Sequence, residues 1–284
     1  MIDITKDGLT QATIGALANV GAPKVSRYIG EKDFKPLQTI GKKHIRYPLS
    51  ITRQIIKHLF ANKKPVIKKK HAFYNFKGGT GKTSICFQIS SHMALMGYKV
   101  LVIDADPQGH LSSSCGFSFN DNYLTLYDII VKKVPASDVI KTIFEGLDCI
   151  PSNLALTRLE PELSNFPKRE ERMLLDLKEL EQKYDFIFID TNPTISHLNR
   201  NVITYCDVIN IVCETRPYSL NGLRILMEDL VTFYHSMQIE SADLNIIPNK
   251  YEDRMTSSGE AMALLRENYG DFLKPDFAIR RSED

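Results

Sequence analysis

Short apolar runs alternate with amphipathic stretches along most of the chain after residue 70. Three runs, Val100–Ile103, Phe186–Ile189 and Val208–Val212, contain almost no polar residue, which is typical of parallel strands buried on both faces. The alternation predicts an α/β fold with a mainly parallel sheet flanked by helices. The predicted strands are His71–Phe76, Tyr98–Asp104, Leu147–Ile150, Asp185–Asp190, Asp207–Cys213 and Leu244–Pro248. The predicted helices are Lys82–Met96, Arg169–Gln182, Ser196–Tyr205, Leu220–Tyr234 and Ser257–Asn268.

The first sixty residues follow a helical pattern instead. Two apolar stripes with helical spacing lie within residues 14–29, and Gly21 and Pro23 separate them. Because proline is tolerated in the first turn of a helix, this spacing predicts a helix-turn-helix, and a plain helical hairpin has the same pattern. Residues 40–50 predict two short strands around a basic tip, and an amphipathic third helix is predicted at Ile51–Phe60.

Charge divides the chain at a lysine-rich segment. Residues 1–70 contain 15 lysines and arginines against 4 aspartates and glutamates, whereas residues 71–284 contain 21 against 30. This asymmetry is typical of a nucleic-acid-binding module joined to a different kind of domain, and a solvated basic tail has the same charge. The predicted organisation is a winged helix-turn-helix DNA-binding domain at 1–62, a basic linker at 63–70 and a second domain at 71–284.

Composition excludes several classes of protein. The 284 residues are 43% hydrophobic and 25% charged, which suits a globular protein that needs no disulfides. No apolar run reaches about 18 residues and no signal peptide is recognisable, so we expect a cytoplasmic protein that does not enter a membrane. The five cysteines form no C-x-x-C pair, which argues against zinc and redox motifs.

The strongest chemical signal is the segment K-G-G-T-G-K-T-S between a predicted strand and a predicted helix. Its glycines let the backbone approach phosphate oxygens, and its N–H groups at a helix N-terminus form an anion-binding nest. In such a Walker A loop Lys82 reaches the β- and γ-phosphates and the Thr83 hydroxyl binds Mg²⁺. The predicted nucleotide-binding residues of the loop are Lys77, Gly78, Gly79, Thr80, Gly81, Lys82, Thr83 and Ser84.

The loop departs from the common pattern, because Phe76 stands where the first glycine belongs and Lys77 adds a lysine at the front. It resembles the deviant Walker A loop of the ParA/MinD ATPases, whose signature is this front lysine. The resemblance covers residues 71 to about 281 and implies a P-loop NTPase fold, ATP and Mg²⁺ as cofactors, and a homodimer that sandwiches two ATP molecules. Lys77 would then contact the ATP of the partner subunit. The implied catalytic residues are Lys77, Lys82 and Asp106.

Three later motifs fit this resemblance. Asp104 and Asp106 in D-A-D-P-Q-G resemble switch I of the family, where Asp106 would orient the attacking water and Asp104 would support the magnesium shell. Asp190 ends the apolar strand F-I-F-I-D as in a Walker B motif and would hold Mg²⁺ together with the loop threonine. The family usually continues D-x-P-P, and here Asn192 replaces the first proline. Asn249 stands where the family faces the adenine base, and an ordinary strand-to-loop turn has the same residue types.

The N-terminal pattern is similar to the winged helix-turn-helix that precedes the ATPase in some plasmid partition ParA proteins. Such a module reads operator DNA with exposed polar residues of its second helix, here including Tyr28, and with a basic wing. The predicted contacts are Lys24, Ser26, Arg27, Lys42, Lys43 and Arg46. Basic residues of the second domain would serve ATP-dependent, non-specific DNA binding. Candidates are Arg216, Arg224, Lys250, Arg254, Arg266, Lys274, Arg280 and Arg281.

The resemblance implies an ATP-dependent segregation protein for plasmid or chromosomal DNA, associated with the nucleoid in the cytoplasm. An ATP-bound homodimer would bind DNA, and a ParB-like centromere-binding partner would stimulate hydrolysis and reset it. A MinD-like regulator on a membrane or other cargo is the alternative, and it predicts a C-terminal amphipathic helix. The sequence ends before the family's usual closing helix, so we expect a truncated or unusually short chain.

Two further classes of protein remain alternatives. An iron–sulfur reductase would need two cysteines at a dimer axis, for which Cys115 and Cys149 are the candidates. A transcription factor that only senses nucleotide would not need a complete set of catalytic residues. The D-P-Q-G motif and the intact Lys82, Asp106 and Asp190 favour an ATPase over both.

Overall fold

Three helices form a small module in the N-terminal part of the chain. The computed structural model describes residues 8–37, 45–60 (without the Phe60 side chain), 67, 69–118, 121–275 and 277–281. The elements of this N-terminal module, residues 8–60, are β1 (Leu9–Thr10), α1 (Gln11–Ala18), α2 (Ala22–Lys32), β2 (Arg46–Tyr47) and α3 (Leu49–Phe60). Ile14, Val25 and Ile55 are completely buried at its centre.

Local sequence signals fix the turn between α1 and α2. The Thr10 side chain accepts a hydrogen bond from Thr13 N at 3.2 Å and caps the start of α1. Asn19 ends that helix with a φ of 51°, in the left-handed region that asparagine tolerates. Pro23 lies in the first turn of α2, as the sequence predicts. The helix pair therefore falls where the apolar stripes place it.

The one strand described within the predicted hairpin of residues 40–50 is β2, and residues 40–44 lie outside the described part of the chain. β2 is antiparallel to β1, which precedes both helices. Leu37 N donates a hydrogen bond to Arg46 O at 2.8 Å, so the chain on the two sides of residues 38–44 lies close together. Pattern alone missed β1, because two residues are too few to show a period.

The larger domain is built on one sheet. Its strands are β3 (Lys69–Tyr74), β4 (Val100–Ala105), β5 (Lys141–Phe144), β6 (Leu147–Ile150), β7 (Phe186–Thr191), β8 (Val208–Glu214) and β9 (Asp243–Asn249). Within the described residues their order is β5-β6-β4-β7-β3-β8-β9, and every neighbouring pair is parallel except β5 with β6. The predicted mainly parallel sheet is confirmed. Two details differ, because the edge strand β5 was not predicted and β3 begins at Lys69, inside the predicted linker.

Helices cover both faces of the sheet. They are α4 (Lys82–Leu95), α5 (His110–Ser114), α6 (Leu126–Ile130), α7 (Ala136–Val139), α8 (Leu159–Asn165), α9 (Arg172–Asp176), α10 (Leu180–Lys183), α11 (His197–Tyr205), α12 (Pro217–Met237) and α13 (Thr256–Tyr269). Val102 and Phe188 pack with α4 and α5, whereas Leu101 and Ile189 pack on the opposite face with the other helices. In the described part of the chain, no helix is both long and apolar enough to cross a membrane.

The helix predicted at Arg169–Gln182 is not continuous. A 3₁₀ turn at Arg169–Glu171 leads into α9, and α10 follows after a break. In an unbroken helix Met173 N would bond to Arg169 O. Instead, the buried Asn201 side chain accepts from Met173 N at 3.1 Å and donates to Arg169 O at 2.5 Å, which replaces that bond.

The carboxyl ends of the parallel strands meet at one edge of the sheet. Since such edges are where open α/β sheets bind ligands, the loops that follow these strands are the place to look for a site. The loops after β3, β4, β7, β8 and β9 carry the predicted phosphate loop, the switch aspartates and Asn249.

Candidate functional site

The loop between β3 and α4 is held in place by its first residue. Asn75 donates from its side-chain amide to the β8 backbone at 2.7 Å, and its Oδ1 accepts from Lys77 N at 2.9 Å. Gly79 and Gly81 have φ angles of 73° and 95°, which residues with a Cβ rarely adopt. The loop conformation therefore depends on glycine at these two positions.

The end of β9 supports the same loop. Asn249 Nδ2 donates to Thr80 O at 2.7 Å, and Lys250 Nζ donates to Gly79 O at 2.6 Å. A Cβ at Gly81 would lie 2.4 Å from Asn249 Nδ2, so the two segments are in close contact. The Asn249 amide therefore holds the phosphate loop in place. The residue also lines the neighbouring cleft, and the predicted contact with the adenine base stays a prediction.

Lys82, the first residue of α4, is enclosed by the loop. The residue is only 6% exposed, and its Nζ donates to Lys77 O at 3.3 Å. Burial lowers the pKa of Lys82, and the charges of Asp190 and Asp106 oppose that change. A buried ammonium group beside the N–H groups of a helix N-terminus is suited to binding phosphate oxygens.

Thr83 and Asp190 meet beside this lysine. Thr83 Oγ1 donates to Asp190 Oδ2 at 2.6 Å, while Asp190 Oδ1 and Thr80 Oγ1 are buried without a hydrogen-bond partner among the described residues. Burial raises the pKa of Asp190 to about 8, and the charge of Asp104 adds to this effect. Bound Mg²⁺ with its waters would give the orphaned oxygen a partner and offset the crowded negative charge. The residues therefore fit Mg²⁺ bound together with a nucleotide.

Asp104, predicted to support the magnesium shell, uses both carboxylate oxygens for hydrogen bonds within its own loop. Its Oδ1 accepts from Asp106 N at 3.1 Å, and its Oδ2 accepts from Ser112 N at 2.8 Å and from Ser112 Oγ at 2.7 Å. Burial raises the pKa of Asp104 to about 6. Both carboxylate oxygens thus position the loop between β4 and α5. Asp106, the first residue after β4, accepts from Gln108 N at 2.9 Å and stays partly exposed.

Lys77 lies on the rim of the loop and is bound by its own chain. Its side chain is 49% exposed, and Nζ contacts Glu214 Oε2 at 2.5 Å and Ser219 Oγ at 3.3 Å. The other Glu214 oxygen accepts from Lys250 Nζ at 2.7 Å. Burial acts to raise the pKa of Glu214, but the two ammonium groups outweigh it and hold that pKa below its usual range. Sequence reasoning missed Glu214 and Ser219, although a carboxylate at the end of a buried strand was a usable signal.

An open cleft of about 750 Å³ adjoins the loop. One wall is the segment 277–281, which is held by Ile279 N donating to Pro248 O at 2.9 Å and by Tyr251 N donating to Ile279 O at 3.0 Å. The volume is sufficient for a nucleoside. Ser84, predicted to contact a phosphate, is exposed and lines this cleft.

Asparagines organise the segment that follows Asp190. Asn199 Nδ2 of α11 donates to Asn192 O, Asn192 Oδ1 and Thr194 O at 3.0, 2.9 and 2.6 Å. Asn192 Oδ1 also accepts from Thr194 N at 3.2 Å. Where the family pattern has a proline, this chain therefore ties the segment to α11 by hydrogen bonds. The buried Asn199 was missed, and its signal was a polar residue on the apolar side of a predicted helix.

The N-terminal module exposes part of the predicted DNA surface. Tyr28 differs from its prediction, because it is half-buried and its ring stacks on His58 with centroids 3.9 Å apart. The helix face that buries Val25 and Ile29 turns Tyr28 toward α3 as well. The predicted residues that α2 does expose are Lys24, Ser26 and Arg27.

Most of the remaining basic candidates form hydrogen bonds or ion pairs within the chain. The Arg46 guanidinium donates to Gly8 O at 3.1 Å, so it holds the chain before β1, and Lys42 and Lys43 lie outside the described residues. In the larger domain several of the suggested non-specific DNA contacts form ion pairs. These pairs are Arg216 and Arg281 with Glu252, Arg224 with Glu228, Arg280 with Asp253, and Lys250 with Glu214.

The cysteines do not form a cluster site. Cys149 is completely buried on β6, and it packs in one apolar cluster with the partly buried Cys115 and with Cys86. A completely buried thiol cannot meet its counterpart at a dimer axis, so the structure offers no support for the iron–sulfur alternative. Cys206 and Cys213 are also buried, as expected for small apolar residues.

Asp190→Asn is expected to change how stability depends on pH. In the metal-free protein the pKa of about 8 lies above the ordinary value of 3.8, so the folded state keeps a proton that the unfolded state has released. Stability then falls as pH rises from about 4 to about 8. The variant lacks this loss and retains an acceptor for Thr83, so its Tm should exceed that of the wild type by ~3 °C or more at pH 8 and match it near pH 4. Thermal unfolding in EDTA measures this, and parallel pH profiles of the two proteins would contradict it.

Comparison with known sequences identifies relatives of the larger domain. A sequence profile of the AAA domain matches residues 68–246. The cell division protein PomZ of Myxococcus xanthus is 32% identical over 208 residues, which are 73% of this chain and 65% of PomZ. The chromosome partitioning protein ParA of Caulobacter vibrioides is 30% identical over 203 residues, which are 70% of this chain and 76% of ParA. The chain thus spans slightly less than two thirds of the length of PomZ.

The fold also matches solved structures. Cobyrinic acid a,c-diamide synthase from Mycobacterium smegmatis, solved with an ATP analogue and magnesium, has a TM-score of 0.70 and 23% identity, over 77% of this chain and 89% of that chain. This likeness concerns the fold. The profile match over more than half of the chain, together with the identity to ParA, establishes the family: the chain belongs to the ParA family of P-loop ATPases.

Proposed function

We propose that this protein is a DNA segregation ATPase, in which ATP closes a homodimer that binds DNA and hydrolysis releases it. One observation carries the proposal, namely two lysines with different placements at a single phosphate loop. Lys82 is 6% exposed inside the loop, whereas the Lys77 side chain is 49% exposed on its rim. The inner lysine is suited to phosphates bound by its own subunit, and the outer one to phosphates presented by a second subunit.

The side chains at the site have separate roles in ATP hydrolysis. Lys82 and the loop N–H groups orient the β- and γ-phosphates, since phosphoryl transfer depends mainly on positioning and charge stabilisation. Thr83 and Asp190 hold Mg²⁺, which when bound supplies positive charge beside the phosphate oxygens. Asp106 accepts a hydrogen bond from the attacking water and orients it. The partner subunit's Lys77 stabilises the charge on the transferred phosphate.

The relatives support a role in segregation or positioning. ParA is named for chromosome partitioning and PomZ for cell division. By analogy, a ParB-like centromere-binding protein would stimulate hydrolysis here, and the protein would work on the nucleoid in the cytoplasm. Because few cationic groups face the phosphate loop before a partner arrives, we expect slow hydrolysis by the isolated protein.

The N-terminal module is proposed to bind DNA as a winged helix-turn-helix. Lys24, Ser26 and Arg27 are exposed together on α2. The pairing of β1 with β2 places Arg46 beside this helix pair, and Leu37 N donates a hydrogen bond to Arg46 O. Lys42 and Lys43 of the predicted wing lie outside the described residues. Such a module would read operator DNA, while the ATP-bound dimer supplies non-specific binding.

Asp106→Ala is expected to hold the protein on DNA. The full chain should bind a random-sequence duplex with ATP and not with ADP or without nucleotide, because only ATP closes the dimer. Without Asp106 the water is not oriented, so dissociation after removal of free ATP should slow by at least about tenfold, which corresponds to 1.4 kcal/mol in the hydrolysis barrier. Association and dissociation on immobilised duplex measure both effects.

Two variants serve as controls for this experiment. Lys82→Ala should show no ATP-dependent binding, and Lys141→Ala should retain it, because Lys141 is an exposed residue of the edge strand β5. If the wild type binds DNA equally well with and without ATP, the proposed segregation cycle is refuted. A DNA-binding regulator is then the better description.

A further inference from the structure

Arg53 makes polar contacts between the N-terminal module and the larger domain. Arg53 of α3 donates from Nε to Ala94 O at 2.8 Å, from Nη2 to Tyr98 O at 3.1 Å and from Nη1 to Glu145 Oε1 at 2.9 Å. Its side chain is only 11% exposed. All three guanidinium nitrogens are therefore hydrogen-bonded and the side chain is largely buried, whereas an ordinary surface ion pair stays exposed to solvent.

The larger domain leaves room for this side chain. Gly146 has a φ of 98°, and a Cβ there would lie 2.2 Å from the Arg53 guanidinium. Gly97 has a φ of 96°, and a Cβ there would lie 3.1 Å from Lys57 Cβ. Both turns thus present bare backbone to α3. Met96, which lies between the end of α4 and Gly97, packs against the apolar core of the N-terminal module.

The group that Arg53 holds is the end of the phosphate-loop helix. Ala94 lies in the last turn of α4, at the negative end of the helix dipole, and its carbonyl oxygen accepts from Gly97 N at 3.0 Å as well as from Arg53. The same helix begins at Lys82 in the phosphate loop. Its 14 residues span about 21 Å, so one rigid element joins Arg53 to the nucleotide site.

We propose that the surface formed by Ala94, Tyr98, Gly146 and Glu145 is the docking site for α3, and that Arg53 makes the N-terminal module respond to nucleotide binding at the other end of α4. The proposal rests on the proposed function only in requiring that ATP binds the phosphate loop. Any shift or tightening of α4 on binding phosphate acts directly on the Arg53 contacts. By linkage, the state of the module then also affects nucleotide affinity.

Hydrogen–deuterium exchange on the full chain tests the proposal, with and without ATP and Mg²⁺. In the wild type we expect ATP to slow exchange of the α3 amides by at least about threefold, as well as that of the α4 end. In Arg53→Ala, ATP should slow exchange near the phosphate loop but leave α3 unchanged. Arg53→Lys keeps a cation but cannot reach three acceptors, so it should retain less than half of the α3 response.

Two comparisons make the outcome decisive. Lys32→Ala removes an exposed lysine from α2 of the same module, and this variant should respond to ATP like the wild type. If Arg53→Ala does not fold, Glu145→Gln removes the charge of one of the three acceptors and should weaken the α3 response. ATP protection of the phosphate loop without any response of α3 in the wild type would overturn the proposal, as would a full response in Arg53→Ala. If ATP protects neither region, the nucleotide site itself has failed and the proposed function falls with it.

Discussion

Replacement of Lys82 by alanine is expected to lower the affinity for ATP and Mg²⁺ by about 100-fold or more. The Lys82 ammonium group is buried in the loop, and each charge-assisted hydrogen bond that it gives to a phosphate is worth about 1.5–3 kcal/mol. Two such bonds account for the expected loss. Isothermal titration of the full chain with ATP and Mg²⁺ measures it directly.

The matched control is Lys141→Ala, which removes an exposed lysine from the edge strand β5. It should bind ATP like the wild type. Lys82→Met preserves most of the side-chain volume and should lose affinity as Lys82→Ala does, which separates loss of charge from loss of packing. Unchanged affinity in both Lys82 variants would mean that the loop does not bind the phosphates.

Lys77→Ala is expected to separate nucleotide binding from dimer formation. Lys77 Nζ contacts only side chains on the rim, Glu214 and Ser219, among the contacts the structure describes for it. ATP affinity should therefore change by less than about threefold, as is usual for a partly exposed charge. Dimerisation with ATP should be lost, because two subunits then lack the lysine that reaches the opposite nucleotide. Sedimentation velocity with ATP and with ADP measures the fraction of dimer.

Glu214→Gln gives the complementary result. In the structure Lys77 must leave the Glu214 carboxylate before it can reach another subunit. Removing that negative charge lowers the cost of release, so the variant should dimerise at lower ATP concentration than the wild type. Dimers of Lys77→Ala at the wild-type ATP concentration would rule out the role proposed for this lysine.

Sequence patterns predicted the features that local chemistry determines. The phosphate loop, the buried strands and the aspartates at their ends follow from glycine, apolar runs and residues that stop them. The contact between Thr83 and Asp190 agrees with the Walker A and Walker B motifs, which assigned both residues to Mg²⁺. The helix pair of the N-terminal module was predictable from its two apolar stripes and from Gly21 and Pro23 between them.

The features that sequence reasoning missed depend on partners far along the chain. Glu214 meets Lys77 across 137 positions, and Asn249 meets Thr80 across 169. Asn201 breaks the predicted helix from 32 positions away. The hydrogen bonds from Ser112 to Asp104 were also not predicted, and the magnesium role of Asp104 stays a prediction. A single sequence contains no periodic signal for such contacts.

The strand order has a consequence for how the protein is made. β3 precedes the phosphate loop, yet its two neighbours in the sheet are β7 and β8, which begin more than 110 residues later. The centre of the sheet therefore cannot close until the ribosome has released residue 211, and loop-closure entropy makes such distant pairing slow. The N-terminal module, whose contacts are local, can fold early, but Glu145 emerges long after Arg53. Until Glu145 has emerged, Arg53 cannot complete its set of docking contacts, so we expect the module to fold before it is fully docked on the larger domain.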